Sequence, residues 1–133
     1  MSGILLNFSG HALSVAAEKI LSDTYDSIFT PELIDFDFDG DAGDQLKDIF
    51  SLIPFKIDGS EPLTIIPPGQ STLAILLVGF MHGVIGHFPK LCFLKVNEEG
   101  LYLPKMEYEV LVQSVRSEGR KFRSELKSVK LFK

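Results

Sequence analysis

An alternation narrows the possible folds of this chain most: short apolar runs stop in small polar turns, and each turn is followed by a segment with helical spacing. Ile4-Leu5-Leu6-Asn7-Phe8 runs into Ser9-Gly10, and Ser14 then stands where it can cap a helix over about 15–22 carried by Val15, Ala16, Ile20 and Leu21. Leu63-Thr64-Ile65-Ile66 runs into Pro67-Pro68-Gly69-Gln70, and Ser71 or Thr72 starts an almost wholly apolar helix that Gly86 and Pro89 close after Ile85. Being apolar on nearly every side, that helix is expected to be buried, in the core or at a subunit interface.

Between these two units, Leu33-Ile34-Asp35-Phe36-Asp37-Phe38 alternates apolar and acidic residues, the pattern of a strand with one wet face. Asp39 to Gly43 breaks it, and Asp44 is expected to cap a short helix over 45–52 that ends near Pro54. Leu91-Cys92-Phe93-Leu94-Lys95-Val96 reads as a fourth strand ending in the turn Asn97 to Gly100. A fifth strand is expected over 106–112 and a closing helix over 114–129.

Strands separated by helices require right-handed crossovers, so the expected fold is α/β: one domain over 1–133, a mainly parallel sheet of about five strands flanked by helices. A chain of 133 residues buries roughly two thirds of its unfolded surface, enough for one core without a disulfide or structural metal. With a single cysteine, Cys92, an internal bridge is impossible and a reducing cytoplasmic setting is expected. The opening has no basic segment and only three consecutive apolar residues, so no signal peptide is expected. The longest apolar stretch, about 13 residues from Leu73 to Ile85, is too short to span a bilayer, and no membrane partner is expected.

The formal charge is −5, which argues against broad binding to long RNA or DNA, where Lys and Arg must displace counterions. The charge is also segregated. Residues 1–63 carry 12 acids and 3 bases, whereas residues 64–133 carry 6 acids and 10 bases.

In parallel sheets ligands bind beyond the carboxyl ends of the strands, which gives weight to the loops Asn7-Phe8-Ser9-Gly10-His11, Asp39 to Asp44, Pro67 to Thr72 and Lys95 to Gly100. The first and third lead into helix N-termini, whose N–H groups hold phosphates without formal charge. Neither is a nucleotide fingerprint, and ordinary strand-to-helix turns have the same composition.

Asp35, Asp37, Asp39 and Gly40 resemble the start of a calcium loop, but Leu46 stands where a bidentate Glu is needed, so a solvated acidic face is the better account. His82, His87 and Cys92 lack the spacing of a metal set, and no metal or other cofactor is expected. His11 beside Ser9 is the conspicuous pair for acid-base work. In the last helix Arg116, Arg120, Arg123, Lys127 and Lys130 share one face beside an apolar stripe of Val115, Phe122, Leu126 and Val129. That basic face is either solvated or meets an anion or the acidic half of a second copy.

Three stretches carry a resemblance: ILLNFS with the following GH at residues 4–11, IPPGQSTLAILL at 66–77, and HGVIGHFPKLCFLK at 82–95. Together with the acidic second strand they resemble the small stand-alone CARF-like proteins of type III CRISPR loci, the Csx-fifteen family. The resemblance implies a single Rossmann-like sensor domain that forms a homodimer and binds cyclic oligoadenylate, cyclic tetra-adenylate above all, on the two-fold axis. Whether the ligand joins dimers into a larger assembly stays open. Asn7, Ser9 and His11 match the family's first-loop motif, with Gly10 an additional residue inside it. Pro68, Gly69, Gln70 and Ser71 match its loop after the third strand, with Thr72 adjoining, and Lys95 falls where a basic residue ends strand four.

Two activities fit that ligand. A ring nuclease would drive an adenosine 2′-OH onto the neighbouring phosphodiester without metal, with His11 as base or acid. Sequestration needs only phosphate contacts and adenine pockets, for which Phe8 and Pro67 are apolar candidates. Because no Arg precedes Arg116, stabilisation of a phosphorane is thin, and sequestration is the favoured expectation.

Overall fold

A computed structural model describes residues 3–31, 35–104 and 110–128. Its centre is two buried parallel strands, β1 (Ile4–Asn7) and β3 (Leu63–Ile66), in register with Ile4 opposite Leu63 and Asn7 opposite Ile66. Both are apolar on two faces because both faces are covered, as continuous apolar runs require. On one side Ile4, Leu6, Phe8, Leu63 and Ile65 pack against Leu46 of α2 (Ala42–Ser51) and Leu77, Met81 and Ile85 of α3 (Ser71–Ile85). On the other, Leu5 and Ile66 meet Leu21 of α1 (Val15–Thr24), with Tyr25 and Cys92.

The five-stranded sheet runs β2-β1-β3-β4-β7, where β2 is Ser27–Phe29, β4 is Lys90–Leu91 and β7 is Val110–Leu111. The first four strands are parallel, and β7 is antiparallel to β4. The α/β expectation with a mainly parallel sheet therefore holds. The chain leaves β1 toward β2 on one side and returns to β3 on the other, so order reverses between β1 and β3. Crevices in open α/β sheets form at such a reversal, beyond the carboxyl ends of the strands.

The local signals of α1 and α3 are obeyed, and those of α2 and α4 are shifted. Ser14 Oγ accepts the Ala17 N–H at 3.1 Å and caps α1. Gly86, at φ 82°, ends α3 in the left-handed conformation and donates its N–H to the His82 carbonyl. α2 starts earlier than expected, at Ala42, because Asp41 is its cap and accepts the Asp44 N–H, the role the sequence had assigned to Asp44. α4 (Val112–Ser128) begins directly after β7, two residues before the expected start; Val129 lies outside the described residues.

Two expectations are corrected. The second strand is Ser27–Phe29, not 33–38: residues 32–34 lie outside the described residues, and Asp35 to Asp37 make no ladder. Their alternation has another cause. Phe36 packs against the core and Phe38, with ring centroids 4.9 Å apart, while Gln45 ties the loop by accepting the Asp37 N–H and donating to the Asp37 and Asp41 carbonyls. Leu46, where a calcium loop needs its Glu, is buried in the core.

The expected fourth strand is broken in two. Lys90–Leu91 stays in the main sheet and Cys92 donates its N–H to the Ile65 carbonyl, but Leu94–Val96 (β5) leaves to pair antiparallel with β6 (Tyr102–Pro104). Asn97 closes this hairpin, its Oδ1 accepting the Glu99 and Leu101 N–H groups at 2.9 Å each. Of the expected fifth strand only Val110–Leu111 is described as strand; residues 105–109 lie outside the described residues.

Within one copy α3 is covered on one face: Leu77, Met81 and Ile85 are buried, while Ile75 is 72% and Val84 40% exposed. No described helix is long and apolar enough to cross a membrane.

Candidate functional site

The loop after β1 is built by Asn7, which is 1% exposed at the strand's end. Its Nδ2 donates to the His11 carbonyl at 2.8 Å and to Thr30 Oγ1 at 3.3 Å, and its Oδ1 accepts the Ser9 N–H at 3.0 Å. Both amide hydrogens and the carbonyl are engaged, so Asn7 shapes the loop and has no donor left for a ligand. Gly10, at φ 89°, supplies the left-handed turn that brings the His11 carbonyl back onto Asn7, a conformation side chains disfavour. Ser9 Oγ holds the same turn, lying 3.3 Å from both the His11 N and O.

The loop after β3 lies alongside, because Asn7 and Ile66 are neighbours in the ladder. Gln70 caps α3, its Oε1 accepting the Leu73 N–H at 2.6 Å. The other N–H groups of that first turn have no intrahelical acceptor. Gly69 is open: a Cβ added there would meet nothing within 4 Å.

The two loops and the β5–β6 hairpin enclose a cleft of about 500 Å³. Ser9, His11 and Leu13 line one side, Ile66 to Gly69 the floor, and Phe93, Leu94, Leu101 and Tyr102 the far wall. The His11 and Tyr102 rings are within 8° of parallel, with centroids 6.4 Å apart. Ser14, capping α1, sits 3.5 Å from the Tyr102 carbonyl and links the hairpin to the first unit. The lining is chiefly apolar; none of the described lining residues is Lys, Arg, Asp or Glu. Volume and lining suit a small organic ligand with flat apolar parts, oriented by backbone groups. Compared with family models, with curated proteins and with solved structures, the chain matches none.

The structure divides the residues expected at the site. Ser9, His11, Pro67, Pro68 and Gly69 come together in the cleft. Gly10, Gln70, Ser71 and Thr72 sit in the same two loops outside its lining, the last three exposed at the start of α3. Phe8 is 7% exposed and packs into the core against Phe50, ring centroids 6.0 Å apart, which removes it from any adenine pocket. Lys95 is carried off by the hairpin: strand alternation points Leu94 into the cleft and Lys95 away, toward a separate hollow with Asn97, Glu98 and Glu99.

The hairpin wall was not expected. Its signals in the sequence are the Asn97-to-Gly100 turn followed by Leu101-Tyr102-Leu103, which together spell a hairpin rather than the end of a strand. The His82 ring packs against Phe88 at a tilt of 52°, with ring centroids 4.3 Å apart, the His87 ring contacts the Phe88 carbonyl, and Cys92 is fully buried. Among the described residues no three His, Cys, Asp or Glu side chains cluster as a metal site would require.

Proposed function

We propose that this chain is a Rossmann-like, CARF-like domain that binds cyclic oligoadenylate, with cyclic tetra-adenylate as the preferred ring, and sequesters it. The observation that carries the reading is the joining of the two motif-bearing loops, Ser9 to His11 and Pro67 to Gly69, in one cleft at the sheet's order reversal. Near-parallel His11 and Tyr102 rings offer flat faces on which adenine stacks, and the N-terminal turns of α1 and α3 offer N–H groups for phosphate. A cleft of this size takes part of a tetranucleotide ring, so clefts of two copies share one ligand.

Sequestration is favoured over cleavage because none of the described residues lining the cleft carries a formal charge to stabilise a phosphorane. Ring cleavage is the second reading, and His11 in the lining is its observation: histidine is the residue type that most often serves as general acid or base. In that case the 2′-oxygen bonds to phosphorus, the 5′-oxygen leaves with a proton, and linear products ending in a 2′,3′-cyclic phosphate appear.

Incubation of the protein with cyclic tetra-adenylate, followed by native electrophoresis and chromatography of the nucleotide, tests both. Retained, intact ring supports sequestration, and linear di-adenylate with a cyclic phosphate supports cleavage. No binding at micromolar protein overturns both.

A further inference from the structure

α4 is a helix without a home in its own chain. Every described side chain from Gln113 to Glu125 is exposed, including Val115 at 61% and Phe122 at 54%. A helix of 17 residues with no packed face is marginal in water, so its apolar stripe implies an occupant. The stripe has a regular spacing: Val112, Val115, Gly119, Phe122 and Leu126 alternate steps of three and four, the a and d positions of a heptad.

The flanks choose the occupant. In that register Arg116 and Arg123 fall at e, on one side of the stripe, and Glu118 and Glu125 at g, on the other. Two copies of α4 side by side in parallel set each g residue against the e residue five positions on in the other helix, which matches Glu118 with Arg123 of the partner subunit. The same spacing in the sequence matches Glu125 with Lys130, a residue outside the described ones. Antiparallel pairing would instead set e against e and g against g, arginine on arginine and glutamate on glutamate. Among the described residues of one chain Glu118 forms an ion pair only with the exposed Lys121, at 3.6 Å, a contact that yields readily. Arg116, Arg120 and Arg123 make no ion pair among the described residues.

We infer that α4 is a homotypic docking helix, which pairs in parallel with α4 of a second copy through Val115, Gly119, Phe122 and Leu126, with Glu118–Arg123 pairs fixing orientation. This inference does not depend on the ligand reading, and its test contains no nucleotide.

Sedimentation of the full chain at tens of micromolar is expected to give a dimer. Phe122→Asp is expected to give a monomer whose near-ultraviolet spectrum is unchanged, since Phe122 touches no core. Glu118→Arg and Arg123→Glu should each weaken the dimer at least tenfold, and the double exchange should restore it. Val115→Cys, with Cys92 buried, should cross-link as a disulfide in the parallel pair. A monomeric wild type, a Phe122→Asp dimer of unchanged affinity, no recovery in the double exchange, or no Val115→Cys cross-link would each overturn the assignment.

Discussion

At the scale of single residues, the first loop separates into a residue that builds it and residues that line the cleft. Asn7 builds: it has three hydrogen bonds and almost no exposure. Asn7→Ala leaves the Ser9 N–H and His11 carbonyl without their partner and should cost about 1–3 kcal/mol, read as a lowered urea midpoint with unchanged slope. A residue type alone does not distinguish these roles: the sequence reads Asn7 as a ligand contact, whereas its hydrogen bonds turn its amide into the loop. Gly69 is the opposite case, since open space surrounds its missing Cβ. Gly69→Ala should leave both folding and ligand affinity near wild type. Gly69→Asp should fold equally well but lose cyclic tetra-adenylate binding, because its carboxylate meets the phosphates at the start of α3. Normal affinity in the aspartate variant, measured by titration calorimetry, would remove this loop from the proposed site.

At the scale of elements, the sequence was most legible where local signals and tertiary environment agree. β1 and β3 are continuous apolar runs in a sheet covered on both faces, and α1 and α3 carry their caps in view. Legibility failed where a pattern had two causes. The alternation at 33–38 comes from aromatic residues tucked beneath an acidic loop, and the true second strand is three half-buried residues, too short for periodicity to register. The run 91–96 reads as one strand because nothing in it marks the point after Cys92 where the chain changes sheets. Its consequence is functional, since the hairpin that results supplies Tyr102. If adenine stacks there, Tyr102→Ala should weaken ligand binding roughly tenfold or more while Tyr102→Phe retains it. Equal affinity of the alanine variant would place the base elsewhere in the cleft.

At the scale of the whole molecule, the proposed ligand cleft and the start of the proposed docking helix lie at opposite edges of the sheet. The cleft stands beyond the carboxyl ends of β1 and β3, whereas β7 runs antiparallel and delivers α4 beside Lys90, at the start of β4. If copies pair through α4, both clefts of the dimer stay open, and a ring shared between clefts would join each copy to a third. Two different two-fold contacts on one subunit extend an assembly rather than close it at two. Light scattering during titration with cyclic tetra-adenylate should show wild-type protein growing beyond the dimer, with the largest mass near the ratio of one ring to two clefts. Phe122→Asp should start as a monomer and stop at a ligand-bridged pair. If saturated wild type stays at dimer mass, each ring is held within one dimer or one cleft, and the shared-ring geometry fails even where α4 pairing stands.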